Sequence, residues 1–220
     1  MKIDGHGQAK ILTPEEIEDL FSAQNSNERD RALYAVMLYT ACRVSEAVQL
    51  RKRDVYDRKG RVRPELLFRK GTTKGKLATR CVPIIEDLRR RLVEYQPRED
   101  NLYLFPGYIY GNRCDTYLHQ DSAQWILKKA CNRIGIEGVS SHSFRRTALT
   151  QMSNAGIPLR IIQEISGHRT LDELYKYLEV KEDQVRGAVA SLSILSPPNK
   201  ESSVKSSFRE DPNIHHSTPF

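Results

Sequence analysis

The chain has 220 residues, of which 39% are hydrophobic and 29% are charged, as is ordinary for a soluble globular protein. No apolar run reaches the roughly 18 residues of a membrane span, and the polar start MKIDGHGQAK is no signal peptide, so we expect a cytoplasmic protein without membrane contact. The formal net charge of +7 suits a polyanionic partner, because each cation placed on a phosphate releases a condensed counterion.

Helical patterns dominate the first fifty residues. Thr13 is a typical N-cap, and Pro14 follows at the first helical position, which predicts a helix to about Gln24. Apolar residues at helical spacing predict a second helix from about Asp30. A short amphipathic stretch over 44–50 comes next.

The middle of the chain changes to a strand pattern. Residues 65–69 and 80–84 have the composition of short strands, and the turn at 70–76 between them is rich in Gly and Lys. This pattern predicts a β-hairpin with a basic tip. A helix is predicted over 86–95, and Pro and Gly break the chain within 106–112.

The second half returns to helical periodicity. Helices are predicted over 116–134, 142–154, 158–166, 171–177 and 182–192. The chain is polar and Ser-rich from 196, which is typical of a disordered tail. We expect an N-terminal lead over 1–12, one domain over 13–195 that is mainly α with a small β-sheet (α+β), and a tail over 196–220.

The cysteines form no C-x-x-C pair and have no His at zinc-finger spacing. We expect them to be reduced and to serve packing; they are Cys42, Cys81, Cys114 and Cys131. Trp125 lies at helical spacing with Lys128 and Lys129, and we expect it in the core at the edge of a basic face.

Residues capable of phosphate chemistry lie in four separated pieces of the chain. These pieces are Tyr39–Glu46 with Arg43, the hairpin with Lys74, His142–Thr147 with Arg145, and Gly167–His168 followed nine residues later by Tyr177. In this order they resemble the tyrosine recombinase, or phage-integrase-like, family over about residues 13–180. A lone H-x-x-R would be weak evidence, whereas the elements in order form a strong signal.

The resemblance implies the tyrosine recombinase catalytic fold and a site-specific DNA recombinase or integrase, such as that of a phage or other mobile element. Such an enzyme breaks and rejoins double-stranded DNA through a 3′-phosphotyrosine, without a metal, ATP or another cofactor. It usually works as a homo-oligomer, a tetramer on paired sites. Many relatives carry an N-terminal arm domain; here we expect an accessory DNA-binding protein, an oligomer or another mode of wrapping to compensate, unless the sequence is a fragment of a longer protein.

The chemistry explains the two arginines. Attack on a phosphodiester drives charge onto its nonbridging oxygens, and guanidiniums grip such oxygens with planar paired donors. By resemblance Arg43 and Arg145 have this role, and Glu46 supports Arg43. His142 and Arg145 are three residues apart and therefore share one helix face, so that both can reach one phosphate.

By the same resemblance Tyr177 is the nucleophile. A phenol with a pKa near 10 is a poor nucleophile at neutral pH, and it needs cationic neighbours and an imidazole that takes its proton. We assign that acid/base help to His142, a phosphate hydrogen bond to His168, and protonation of the departing 5′-hydroxyl to Lys74.

Two residue assignments have alternatives. Tyr175 lies two residues before Tyr177, although the His-to-Tyr spacing favours the latter. Lys70 and Lys76 share the hairpin with Lys74, and lysine clusters of this kind usually contact only backbone phosphates.

The family's pattern is altered at two positions. Ala41 stands where Gly is common before the first arginine, and Arg146 stands where many relatives have His. Neither change removes a charged catalytic group. Two alternative functions remain, a type IB topoisomerase that relaxes supercoils and a noncatalytic DNA-binding relative.

Overall fold

A computed structural model of the chain describes residues 9–22, 24–72, 79–97, 102–109, 112–178 and 182–195. The chain divides into one unit that ends at Glu179 and a second that starts at Val180. The second unit contains a helix, Glu182–Ala190, followed by a 3₁₀ turn, Ser191–Leu195. No helix in the described ranges is long and apolar enough to cross a membrane.

The first unit is mostly helical, with two small antiparallel sheets. Its helices are α1 (Pro14–Phe21), α2 (Glu28–Thr40), α3 (Val44–Val48), α4 (Glu86–Glu94), α5 (Gln120–Arg133), α6 (Ser141–Asn154), α7 (Leu159–Ser166) and α8 (Leu171–Tyr175), with 3₁₀ turns at Lys52–Asp54 and Lys70–Thr72. Its strands are β1 (Glu65–Phe68), β2 (Arg80–Pro83), β3 (Pro106–Ile109) and β4 (Asn112–Tyr117). The predicted fold class, mainly α with a little sheet, is confirmed.

The start of α1 matches its sequence signal. The Thr13 hydroxyl accepts from the Glu16 N–H at 3.2 Å, and the Glu16 carboxylate accepts from the Thr13 N–H at 3.1 Å. This reciprocal capping box satisfies two N–H groups that the helix leaves without partners. The helix ends at Phe21, earlier than predicted, because the Ser22 backbone is extended and its N–H turns back to the Asp19 carbonyl.

The predicted hairpin is confirmed as an antiparallel pair, with Phe68 of β1 opposite Arg80 of β2. Successive side chains of a strand point to opposite faces. Arg80 and Val82 therefore share the inward face of β2, and Val82 is buried. An arginine is thus directed toward the protein interior.

A second hairpin, β3–β4, was not predicted, and the prediction of a helix from residue 116 is wrong at its start. Tyr117 ends β4, and α5 begins only at Gln120, where the His119 ring accepts from the Asp121 N–H at 3.3 Å. The polar β4 sequence lacks the period-two alternation of a half-buried strand, so its pattern does not distinguish strand from helix.

The packing role predicted for the cysteines holds for two of them. Cys42 and Cys131 are buried, whereas Cys81 is exposed because it points to the outer face of β2. The packing prediction is therefore wrong for Cys81. The side chain of Cys114 lies outside the described residues.

Trp125 is not a core residue, contrary to the prediction. Its side chain is 62% exposed, and Lys129 Nζ lies 5.0 Å from its ring centroid. The reason is the direction of α5, whose buried face is formed by Ala123, Leu127, Ala130 and Cys131.

The largest core surrounds α2, which is buried on most of its faces. Tyr34 of α2 stacks on Phe144 of α6, with ring centroids 5.4 Å apart. A smaller apolar cluster of Ala41, Leu149, Ile162 and Leu174 packs against the partly buried Tyr177 and lies next to the groups described below as the candidate active site.

The segment just before α1 is bound to α6. Leu12 is buried, and its N–H donates to the Thr147 hydroxyl at 2.8 Å. Arg146, also buried, donates from Nη1 to the Ala9 carbonyl. The end of the expected N-terminal lead is thus part of the packed structure, and Arg146 is used to hold it.

Ala41 ends α2 in the left-handed conformation, with φ of 50°. This conformation costs an L-residue with a Cβ roughly 1–2 kcal/mol, and glycine avoids the cost. The Ala41 methyl group is buried in the small apolar cluster, which offsets part of that cost.

We predict that Ala41→Gly changes the free energy of unfolding by less than about 1 kcal/mol. Relief of the left-handed strain is opposed by about 0.8 kcal/mol for the lost methyl and by about 0.4–1 kcal/mol for the freer unfolded chain. Ala41→Val should be clearly more destabilising, since a branched residue is an outlier there. Urea unfolding measures both; equal losses in the two variants would contradict this account.

Candidate active site

Arg145 lies at the centre of the site. It is 1% exposed, and its Nη1 donates to the Ala41 carbonyl and, at 3.0 Å, to the Ser166 carbonyl. Its Nη2 lies 2.8 Å from Nε2 of His168. One guanidinium therefore joins α6, the end of α2 and the end of α7.

Burial lowers the pKa of Arg145 to about 10, and the charge of Arg43 acts in the same direction, while Glu46 opposes both. The guanidinium therefore remains charged at neutral pH. Because Arg43 and Glu46 influence this pKa, the structure brings these predicted residues into electrostatic contact with Arg145.

His168 follows the C-terminal turn of α7, where Gly167 adopts a left-handed φ of 65°. Its ring is buried, and Nδ1 lies 2.8 Å from the Ser166 hydroxyl. Burial, followed by the charges of Arg145 and Arg43, lowers the pKa of His168 to about 3. His168 is thus a neutral imidazole between a serine and a buried arginine.

Tyr177 packs against both groups. Its ring centroid lies 5.1 Å from that of His168 and 5.7 Å from Cζ of Arg145. The predicted helix to residue 177 is too long, since α8 ends at Tyr175 and the Tyr177 N–H donates to the Leu174 carbonyl at 2.9 Å in a turn. Tyr175 is 53% exposed, whereas the Tyr177 ring contacts Arg145 and His168.

A buried carboxylate connects two further arginines. Glu46 is fully buried; it accepts from the Arg43 N–H at 3.0 Å and from Arg43 Nη1 at 3.3 Å. Arg80 donates to both carboxylate oxygens, from Nη1 at 3.3 Å and from Nη2 at 2.9 Å. Glu46 thus contacts Arg43, and it also binds the hairpin strand β2.

Arg80 was missed in the sequence analysis. Its guanidinium lies 4.2 Å from the Phe68 ring centroid, and a Cβ placed on Gly167 would come within 2.8 Å of Nη1. A side chain on this glycine would crowd the guanidinium, so Arg80 packs closely on the turn that carries His168. The sequence does contain a signal for Arg80: it lies two residues before Val82 and therefore on the same, inward face of the strand. An arginine buried in this way needs a buried carboxylate as its partner.

Glu46 is ionised in this environment. Burial by itself raises the pKa of Glu46, but hydrogen bonds and charge from Arg80 and Arg43 outweigh burial and bring that pKa below the ordinary value. Arg43, Arg80 and Arg145 carry three positive charges against this single carboxylate, so the group retains two positive charges in excess.

The contacts described above include neither Lys74 nor His142. Lys74 lies outside the described residues, as does Lys76, whereas Lys70 begins the 3₁₀ turn after β1. His142 is the second residue of α6, with an exposed side chain one turn before Arg145. In the described ranges no three His, Cys, Asp or Glu side chains are grouped to hold a metal ion.

We predict that Glu46→Gln lowers the free energy of unfolding by about 3 kcal/mol at pH 7, because the variant leaves Arg43 and Arg80 partly buried without their counter-charge. The Glu46 contribution is fully present above the ordinary carboxyl pKa of about 4.3 and is lost as pH falls through the lower folded-state pKa. The two proteins should therefore converge in stability under acid.

Urea unfolding at a series of pH values measures this difference. Glu164→Ala is the matched control, because Glu164 pairs with Arg160 at 3.9 Å on the surface and its loss should leave stability nearly unchanged. A Glu46→Gln loss that is the same in acid as at neutral pH would contradict the ion-pair account.

Comparison with known proteins identifies the family. The sequence profile of the phage integrase family matches residues 10–184. The tyrosine recombinase XerA of Pyrococcus furiosus is 31% identical over 190 residues, covering 84% of this chain and 63% of that protein. XerC of Halalkalibacterium halodurans is 30% identical over 192 residues, covering 80% of this chain and 59% of that protein. The chain thus spans less than two thirds of these relatives.

Solved structures share the fold. A crystal structure of XerA recombinase superposes with a TM-score of 0.66 at 24% identity, covering 85% of this chain and 64% of that chain. The Tn1549 transposon integrase, solved in complex with transposon right end DNA, superposes with a TM-score of 0.63 at 18% identity over 87% of this chain and 68% of that one. With the profile match across most of its length, the chain belongs to the phage integrase family.

Proposed function

We propose that this chain is a site-specific recombinase that breaks and rejoins duplex DNA through a 3′-phosphotyrosine on Tyr177. The observation that carries the proposal is the contact of the Tyr177 ring with Arg145 and His168, two groups suited to an anionic phosphate. Residues 13–195 form the catalytic domain in this proposal, and the protein acts in the cytoplasm on DNA.

The excess of positive charge supports phosphate binding. Arg43 and Arg145 hold the nonbridging oxygens of the scissile phosphate, and this neutralisation favours the more highly charged transition state. The Arg43 side chain is 22% exposed and can therefore reach a ligand. The Arg145 guanidinium is buried, and backbone carbonyls fix its position at the site. The protein's overall charge of +7 favours the surrounding DNA backbone.

The reaction exchanges one phosphoester for another. Tyr177 Oη forms a bond to phosphorus while the bond to the 5′-oxygen breaks; the phenolic proton passes to His142, and Lys74 donates a proton to the leaving oxygen. A histidine with a pKa of about 3 is a weak base at neutral pH, which supports His168 as a hydrogen-bonding group. Rejoining reverses these steps, so no ATP is required.

The relatives support a site-specific reaction. Besides XerA and XerC, a similar structure is that of XerH site-specific recombinase bound to its difH substrate in a post-cleavage complex, with a TM-score of 0.60. By analogy we propose a tetramer on paired sites, with an accessory DNA-binding protein as a further partner.

We predict that Tyr177→Phe forms no covalent DNA adduct, whereas the matched control Tyr175→Phe forms it as the unaltered chain does. The substrate is a pool of randomised nicked duplexes. Cleavage releases a short strand that diffuses away, so religation is prevented and the covalent adduct accumulates. Denaturing gels and peptide mapping locate the bond, and sequencing identifies enriched sites. EDTA should leave the yield unchanged; an adduct on Tyr175, or none on any tyrosine, would contradict the proposal.

We further predict that a sulfur atom at the 5′-bridging position rescues Lys74→Ala. A thiol has a pKa near 8.5 and leaves as a thiolate, so the substrate no longer needs a proton donor. Rates of adduct formation are compared on oxygen- and sulfur-bridged duplexes, with Lys70→Ala and Lys76→Ala as controls. Rescue of either control instead of Lys74→Ala would transfer the role to that lysine.

Recombination and simple relaxation differ in their products. With the enriched site placed twice in one plasmid, strand exchange yields rearranged circles, whereas a topoisomerase yields only relaxed circles. Rearranged products are expected, and their absence alongside rapid relaxation would overturn the recombinase proposal.

A further inference from the structure

His168 is hydrogen-bonded at both ring nitrogens, and its partners are buried. Nε2 lies 2.8 Å from Nη2 of Arg145, and Nδ1 lies 2.8 Å from the hydroxyl of Ser166, which is fully buried. The Ser166 hydroxyl in turn lies 3.3 Å from the Gln163 carbonyl.

The donor inventory of these groups determines where the protons lie. Arginine can only donate, so Nε2 of His168 must accept and carries no proton. The neutral ring therefore has its proton on Nδ1 and donates it to the Ser166 oxygen, and the Ser166 proton is directed to the Gln163 carbonyl. The low pKa of His168 agrees with a neutral ring.

This tautomer is the wrong one for the role proposed for His168. A hydrogen bond from Nε2 to a phosphate oxygen requires a proton on Nε2. In the free protein Nε2 accepts a hydrogen bond from Arg145, the group that would bind the phosphate. Once a phosphate oxygen binds Arg145, Nε2 would have to become a donor to that phosphate.

We propose that Ser166 is a positioning residue that stabilises both tautomers of His168, first with its oxygen as acceptor and, after DNA binds, with its proton as donor to Nδ1. This proposal rests on the proposed function. In the change the ring loses its Nδ1 proton to water and gains one from water at Nε2, so its charge is unchanged. His168 thereby passes from acceptor toward Arg145 to donor toward phosphate.

The surroundings of Ser166 allow the hydroxyl to turn. A hydroxyl has one rotatable proton and two acceptor lone pairs, whereas a carbonyl or carboxylate in its place would stabilise only the Nδ1–H form. When the Ser166 proton leaves the Gln163 carbonyl, that carbonyl still accepts from the Gly167 N–H at 2.8 Å. The rotation therefore does not leave the Gln163 carbonyl without a partner, which keeps its desolvation cost small.

The backbone of His168 is held independently of its ring. The Gln163 side-chain amide donates to the His168 carbonyl at 3.2 Å and to the Arg169 carbonyl at 3.3 Å. Removal of the Ser166 hydroxyl should therefore leave Nδ1 of the ring without its partner while the turn stays in place.

Nitrogen-15 NMR of histidine-labelled protein distinguishes the two neutral tautomers directly. Ring signals of His168 are assigned by their loss in His168→Gln. In the free protein we expect a proton on Nδ1. In Tyr177→Phe bound to an enriched duplex, where cleavage is blocked, we expect it on Nε2. Adding Ser166→Ala to that complex removes the partner of Nδ1 in either tautomer, so the proton should stay on Nε2, and the loss should appear in the cleavage rate.

A cleavage assay supplies the second readout. Ser166→Ala should slow single-turnover adduct formation about tenfold, which corresponds to about 1.4 kcal/mol, with little change in DNA affinity. Ser26→Ala, which alters another buried serine, should leave both the tautomer and the rate unchanged.

A proton on Nε2 in the free protein would overturn the proposal even if no DNA adduct were ever found. So would a DNA complex in which the proton stays on Nδ1, or a Ser166→Ala variant that cleaves as fast as the unaltered chain. Failure of the proposed function alone would appear differently, as the expected free-state tautomer without any adduct on Tyr177.

Discussion

The rest of the site depends on the hydrogen bonds made by the buried guanidinium of Arg145. A charge removed from water needs hydrogen-bond partners, and this one finds them in carbonyls at the ends of α2 and α7 and in the ring of His168. Residues more than a hundred positions apart in the chain are thereby brought against one side chain. The Tyr177 ring packs beside the same group.

The Glu46 carboxylate, with its two arginines, extends this arrangement to the hairpin. Glu46 binds Arg43 and Arg80 together, and Arg80 packs against Gly167. The strand that leads from the lysine-rich hairpin tip, the helix that begins after Arg43 and the turn before His168 therefore share one electrostatic contact. Such shared contacts connect these three segments through the Glu46 carboxylate and the Arg80 side chain.

Sequence reasoning predicted the elements whose signals are local. The Thr13 cap, the β1–β2 hairpin and the helix of Arg145 follow from capping residues, a Gly-rich turn and apolar spacing. The family resemblance supplied the candidate site residues. Sequence reasoning did not predict the β3–β4 hairpin, because its strand lacks alternation. Nor did it predict the exposure of Trp125, since spacing alone does not say which face of α5 meets the core.

The contacts that organise the site were hidden for a different reason. The Arg80–Glu46 pair joins residues 34 positions apart, and no local pattern states which carboxylate a buried arginine will meet. The left-handed Ala41 is likewise a consequence of tertiary structure, since its carbonyl must turn toward Arg145. Ser166 lies next to the Gly167–His168 motif, but the role that we propose for it depends on which protons the neighbouring nitrogens carry.

The most direct test of this account is a crystal structure of the chain bound to an enriched duplex with orthovanadate at the cleavage site. We expect vanadium bonded to Oη of Tyr177, with its other oxygens accepting from Arg43, Arg145 and His168. Vanadate bound in another pocket, or a Tyr177 hydroxyl turned away from the Arg145 guanidinium, would contradict it.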